Sequence, residues 1–258
     1  MKTNYVEMKR FVLLLFQLLI WTPVFALVLT LITAVVVIIG CLLGGERFFS
    51  FYPCVIWSRL TCMISLCPIK VIGREKLNKK QSYIFVANHQ GFFDVFLMFS
   101  LIGQPIKWVM KKNLQYIPLV GLACRAAGYI FVDKKSPQSA AKTIKQAEKK
   151  LKNGVSVVFF PEGSRTETGK MGVFKKGAFQ MALDLKLPIV PVSINGSYEV
   201  MPIGTLRINP HKMEMIIHDP IQIEEINTDN IREVAIKVRE LRDRSCNAIA
   251  SALWDKYK

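Results

Sequence analysis

The chain has 258 residues, with 35 Lys plus Arg against 19 Asp plus Glu, a formal net charge of +16, and 51% of its residues hydrophobic. That apolar fraction excludes a disordered chain, and 15 Gly and 12 Pro without a repeat exclude collagen-like and low-complexity classes. A chain both this basic and this apolar points to an anionic membrane surface, with nucleic acid as the other partner class.

The first 70 residues hold six basic and two acidic side chains. Phe11 to Gly45 is a run of 35 positions without a charge. A membrane span needs about 20 apolar residues, and one helix of this length would reach roughly 50 Å across a hydrocarbon core of about 30 Å. The run is therefore expected to break or bend at Trp21-Thr22-Pro23. Residues 24–44 could then span, or both arms could enter one leaflet and return. The run is too long for the apolar core of a signal peptide, and no small-x-small cleavage site follows. Residues 48–70 are aromatic and apolar, suited to a membrane interface or to a helix packed on the following domain.

Beyond position 70 the periodicity changes. Strands are predicted at Ile69–Ile72, Tyr83–Ala87, Ile106–Met110, Tyr129–Val132, Val155–Phe160, Ile189–Ile194 and Met213–Ile217. Helices are predicted over Phe92–Leu101, from Ser136-Pro137 to a stop at Gly154, over Lys175–Leu185, and after Thr228/Asp229. Alternation of this kind predicts an α/β domain with a largely parallel sheet, covering residues 69–258 and preceded by a membrane-embedded or interfacial helical element at 1–68. The basic stretch Lys107–Lys152 reads as a basic face on that domain. The six cysteines form no CxxC pair, and His89, His211 and His218 are not spaced for zinc. Reduced buried thiols, no metal and no cofactor are expected.

Two strand ends carry chemistry. In Asn88-His89-Gln90-Gly91-Phe92-Phe93-Asp94, the histidine ends a buried strand and the aspartate opens the next helix. An Asp bonded to one imidazole nitrogen fixes the tautomer and leaves the other nitrogen to take a proton. The alternative is a structural His beside an Asp that stabilises a helix N-terminus. Gly91 is expected to permit the turn between them. In Phe160-Pro161-Glu162-Gly163-Ser164-Arg165-Thr166, Arg165 offers a planar fork for a phosphate, with hydroxyls nearby and Gly163 allowing close backbone approach. A solvated surface loop is the alternative. Phosphate-loop, dinucleotide and nucleophile-elbow motifs are all missing.

These residues resemble the 1-acylglycerol-3-phosphate acyltransferase family. Asn88-His89…Asp94 is similar to its His-x4-Asp block. Met110-Lys111-Lys112-Asn113-Leu114 through Gly128–Lys134 is similar to its second block, Phe160–Thr166 with Phe174–Phe179 to its third, and Ile189–Ile194 to its fourth. Gly91 stands where the family usually has Ser, Asn113 replaces a common Glu, and Lys134 stands where Arg is frequent. The resemblance implies transfer of a fatty acyl group from acyl-CoA or acyl carrier protein to the sn-2 hydroxyl of lysophosphatidate, giving phosphatidate. His89 is then the general base and Asp94 its partner. Glu162, Gly163, Ser164, Arg165, Lys111 and Lys134 are the expected substrate contacts. A protein of the inner (cytoplasmic) membrane with its catalytic domain facing the cytoplasm is expected. Sister acyltransferases using glycerol-3-phosphate or a lyso-aminolipid are the nearest alternatives. A non-catalytic basic protein docking on lipid or RNA is the alternative of another class, and no RNA-binding signature supports a nucleic acid.

Overall fold

The computed structural model describes residues 2–132, 137–151, 153–205, 207–224 and 230–258. A seven-stranded sheet forms the centre, in the order β1-β7-β6-β2-β5-β3-β4. Its strands are β1 (Ile69–Ile72), β2 (Ile84–Ala87), β3 (Ile106–Lys111), β4 (Ile130–Val132), β5 (Ser156–Phe159), β6 (Ile189–Asn195) and β7 (Met213–Ile217). Every pairing is parallel except β6 with β7. The predicted strands are thus all present, within a residue or two of their expected ends.

The central strands read as continuous apolar runs because both of their faces are covered. In β2, Phe85 and Ala87 face one core and Ile84 and Val86 the other. On the first face lie α4 (Tyr52–Ile64) and α5 (Phe93–Leu101), which pack on each other. The second face is covered by α7 (Pro137–Lys150), α8 (Gly177–Leu185) and α10 (Ile231–Ala252). The expected caps Ser136, Thr228 and Asp229 lie outside the described residues. For α10 the cap is Asn230, whose side chain accepts from the N–H groups of Arg232 and Glu233. A short helix that periodicity did not predict, α6 (Val120–Ala126), follows β3 and packs on the amino-terminal helices.

The amino terminus departs from expectation. The chain stays helical through Trp21-Thr22-Pro23, passing from α1 (Lys2–Phe16) into a π-helical stretch (Gln17–Leu29) and on into α2 (Thr30–Leu42). No helix among the described residues is long and apolar enough to cross a membrane. The segment docks on the domain. The Gln17 side chain donates to the Ile208 carbonyl, and Trp21 Nε1 donates to Ser65 Oγ at 2.9 Å. Gly40 lies against the Phe49 ring so closely that a Cβ there would overlap it, which seats α3 (Glu46–Phe49) on α2. Lys107 on β3, buried, donates to Glu46 and Ser50 and to the Ala127 carbonyl. All six cysteines are free thiols, with Cys54, Cys62 and Cys67 buried.

Candidate active site

Three neighbouring parallel strands, β6, β2 and β5, end on one edge of the sheet, and each delivers part of the site there. Open α/β sheets place their sites at this edge because turns leaving adjacent strands converge on it. Asn88 extends the β2–β6 pairing past the last ladder rung. Its amide donates to the Ile194 carbonyl at 2.9 Å and accepts from the Ile194 N–H at 2.8 Å. His89 therefore leaves the strand at a fixed point.

His89 Nδ1 and Asp94 Oδ2 are 2.7 Å apart. Asp94 is fully buried, while the His89 side chain keeps 16% exposure. The same carboxylate oxygen accepts from the N–H groups of Gln90 and Gly91 at 2.7 and 2.9 Å. Oδ1 accepts the hydroxyl of Ser197, from the turn after β6. With three donors converging on Oδ2, the network assigns the His89 proton to Nδ1 and leaves Nε2 as an acceptor. The Phe160 ring stacks on the imidazole at a centroid distance of 3.9 Å and an angle of 6°, so the ring is held by its edge and its face.

Glu162 lies at the end of β5. Its two oxygens accept from the backbone N–H groups of His89 at 2.7 Å and Gly172 at 2.9 Å. Burial pushes its carboxyl above the usual range, against the pull of those two N–H groups and of His89. Glu162 thus braces the histidine turn from behind, a contact to protein where a contact to substrate was expected. The Thr166 N–H donates to the His89 carbonyl at 2.9 Å and ties the Gly163-Ser164-Arg165 loop to the same turn. Gly163 has φ +81°, so glycine is required there by backbone conformation. Arg165 is half-buried and Ser164 exposed; neither makes a side-chain hydrogen bond or ion pair among the described residues. Thr166 turns its hydroxyl to the Thr168 N–H. Lys111 ends β3 on the same sheet edge, exposed and outside this hydrogen-bond cluster. Lys134 lies outside the described residues.

Gly91 has no positive φ and does not serve by turning the chain. A Cβ there would sit 2.5 Å from the Ser197 carbonyl oxygen, so close approach of the β6 turn is its reason. Sequence reasoning missed Phe160, Ser197 and the bracing role of Glu162. Phe160 and Glu162 were legible only as neighbours of a phosphate-loop candidate, and Ser197 is 103 residues from Asp94. No cluster of His, Cys, Asp and Glu among the described residues is arranged to hold a metal ion.

A histidine fixed in one tautomer by a buried carboxylate, with its second nitrogen at the mouth of a sheet, is equipped to take a proton from a hydroxyl. Among the described residues no Ser or Cys side chain hydrogen-bonds to His89. The class this fold defines is an acyltransferase. Residues 68–195 match the acyltransferase family, and the chain belongs to it.

Its relatives are more particular. The chain is 36% identical over 169 residues to the chloroplastic 1-acyl-sn-glycerol-3-phosphate acyltransferase BAT2 of Brassica napus, covering 64% of this chain and 49% of that protein. It is 36% identical over 175 residues to the 1-acyl-sn-glycerol-3-phosphate acyltransferase of Saccharomyces cerevisiae, covering 67% and 57%. The crystal structure of the 1-acyl-sn-glycerophosphate (LPA) acyltransferase PlsC from Thermotoga maritima matches with a TM-score of 0.64 at 27% identity, over 82% of this chain and 83% of that one. The chain spans about half the length of the curated relatives it matches.

Proposed function

We propose that the protein transfers a fatty acyl group from an acyl thioester to the sn-2 hydroxyl of 1-acyl-sn-glycerol-3-phosphate, forming phosphatidate. The observation that carries this reading is the His89–Asp94 pair, with Arg165, which has no side-chain partner among the described residues, on the loop tied to its backbone. The relatives' names supply the acceptor. An alcohol is a weak nucleophile and a thioester is already activated, so a base at the hydroxyl is the missing component. His89 Nε2 takes the hydroxyl proton as the oxygen attacks the thioester carbonyl. The C–S bond then breaks, and the proton passes to the departing sulfur. Such a base is worth about 10²–10⁴-fold, and correct placement of the two substrates adds to it. Arg165, with Ser164 beside it, binds the acceptor phosphate, and Lys111 and Lys134 add positive charge for either acidic donor, acyl-CoA or acyl carrier protein.

The amino-terminal helices are read as the lipid-facing element. Leu42 and Leu43 are 77% and 82% exposed, and Phe11, Leu19, Leu27 and Ile32 are also exposed, an apolar surface too large to leave in water. The element seats the domain on the cytoplasmic face of the inner membrane, where the acceptor lies. Purified full-length protein should turn over radiolabelled lysophosphatidate with an acyl thioester, and His89→Ala should lose at least about 10³-fold while remaining folded. A folded His89→Ala enzyme with near-normal turnover would refute the mechanism. Turnover only with glycerol-3-phosphate or a lyso-aminolipid would refute the acceptor. The protein should also sediment with anionic vesicles at high salt, and release by salt alone would remove the lipid-facing role.

A further inference from the structure

Asp94 has two oxygens, and only one faces the histidine. The other accepts the Ser197 hydroxyl, which lies in α9 (Ser197–Val200) just after β6. Both side chains are fully buried. We propose that Ser197 is a positioning residue for the proton-transfer pair, holding Asp94 by its outer oxygen, and that residue 91 is glycine so that Ser197 can reach it. The proposal rests on His89 acting as the base.

Three observations carry it. First, the Gly91 N–H donates to Asp94 Oδ2 while the Ser197 backbone crowds the same residue, 2.5 Å from where a Cβ would sit. The turn after β2 and the turn after β6 therefore close on the carboxylate from opposite sides. Second, α9 is anchored from outside. Glu199 accepts from Lys256 Nζ and from the Tyr257 hydroxyl. Partial burial pushes the Glu199 carboxyl up, but these two donors outweigh it and hold it below its usual range. Third, the turn that carries Tyr257 also grips the loop below Arg165. The Met171 N–H donates to the Tyr257 carbonyl at 3.2 Å, and Gly169 is wedged against the Tyr198 and Tyr257 rings. The Gln90 amide in turn donates to the Gly169 carbonyl at 3.3 Å. The chain around Tyr257 thus clamps both the serine and the phosphate loop to the histidine turn.

A carboxylate held at both oxygens cannot swing away when the imidazole becomes charged, and it shares its own charge with Ser197. Without Ser197, Asp94 should hold the imidazole proton more tightly. After burial and their own hydrogen bonds, the Asp94 charge also raises the Glu162 carboxyl and the Tyr257 hydroxyl, and Ser197→Ala changes neither group.

The test uses full-length protein with lysophosphatidate and an acyl thioester, alongside NMR of histidine-labelled enzyme without substrate. Ser197→Ala should lose about 10- to 100-fold in kcat, the value of a charge-assisted hydrogen bond, with KM for lysophosphatidate within about twofold of wild type. The acid limb of kcat/KM should move to higher pH, and the low-field resonance of the His89 Nδ1 proton should shift. Gly91→Ala should act in the same direction, and the double variant should be no worse than the more severe single one, since both act through one contact. Should Ser197→Ala fail to fold, Tyr257→Phe, which removes one of the two donors to Glu199, should show a smaller loss of the same kind. Wild-type kcat and acid limb in folded Ser197→Ala would overturn the proposal, as would a loss confined to KM or to melting temperature. A wild-type enzyme that does not use lysophosphatidate fails the acceptor assignment alone, and the Nδ1 resonance then decides Ser197.

Discussion

Asp94→Asn separates two explanations of why His89 has a carboxylate partner. If Asp94 served only to choose the tautomer, an amide would suffice here. Three donors, His89 Nδ1–H and the N–H groups of Gln90 and Gly91, meet at the position of Oδ2. They select the carbonyl oxygen of an asparagine, and its NH2 then faces Ser197 Oγ, which can accept. Shape, tautomer and hydrogen-bond count survive, and what is lost is the charge. The 2.7 Å bond puts the centres of an imidazolium and a carboxylate roughly 4 Å apart. At an effective dielectric constant of about 20 that is about 4 kcal/mol of stabilisation for the charge that forms on His89 during transfer. Asp94→Asn should therefore lose about 10³-fold in kcat while melting near the wild-type temperature. Asp94→Ala strands four buried donors and should cost roughly 1–3 kcal/mol in stability for each one left unpaired, besides the activity. Steady-state kinetics over a pH series with parallel thermal melts make the comparison. A folded Asp94→Asn enzyme within about tenfold of wild type would show that the charge is dispensable and that positioning alone accounts for the pair.

Arg165→Ala should raise KM for lysophosphatidate more than Arg165→Lys, because lysine keeps the charge and loses the two-pronged fork; an effect on the acyl donor alone would reassign the residue. Ser193 donates to the Ile249 carbonyl at 2.9 Å, so at 2.8 Å it accepts from His218 Nε2–H. Burial and then the Lys76 charge hold His218 below its ordinary value. Its contribution to stability is complete above about pH 6.5, the unfolded value, and falls as the pH drops toward the lower folded one, since the unfolded chain then binds the extra proton. Urea melts at pH 7.5 and 5 should show that loss, and His218→Gln should flatten it; equal slopes would exclude His218 as its source. Lys107→Ala leaves Glu46, Ser50 and the Ala127 carbonyl without their shared donor. It should cost about 2–4 kcal/mol and loosen the amino-terminal helices, read as earlier protease cleavage near Gly44; unchanged melting and cleavage would refute the anchoring role.

The fold was legible because it is written in local periodicity. A sheet buried on both faces demands continuous apolar runs, and the helices between them demand a 3.6-residue stripe, so neighbours in sequence carried the information. His89 and Asp94 were legible for the same reason, lying five residues apart across one turn. The antiparallel β6–β7 pair was not legible, because pairing direction depends on how the chain returns to the sheet rather than on any one strand's composition. Composition likewise showed that the amino terminus must be covered by something apolar, and only packing revealed that Gln17 and Trp21 tie it to the domain. What surrounds the histidine was settled by the tertiary structure alone. Ser197, Glu162, Phe160 and Tyr257 come from strand ends and a turn up to 168 residues from His89. Each became part of the site only when parallel strands brought their ends to one edge of the sheet. The sequence by itself marked the imidazole and the carboxylate that pair, since at that spacing they need little else to meet. How firmly they are held depends on contacts distant in the chain, which no local pattern encodes.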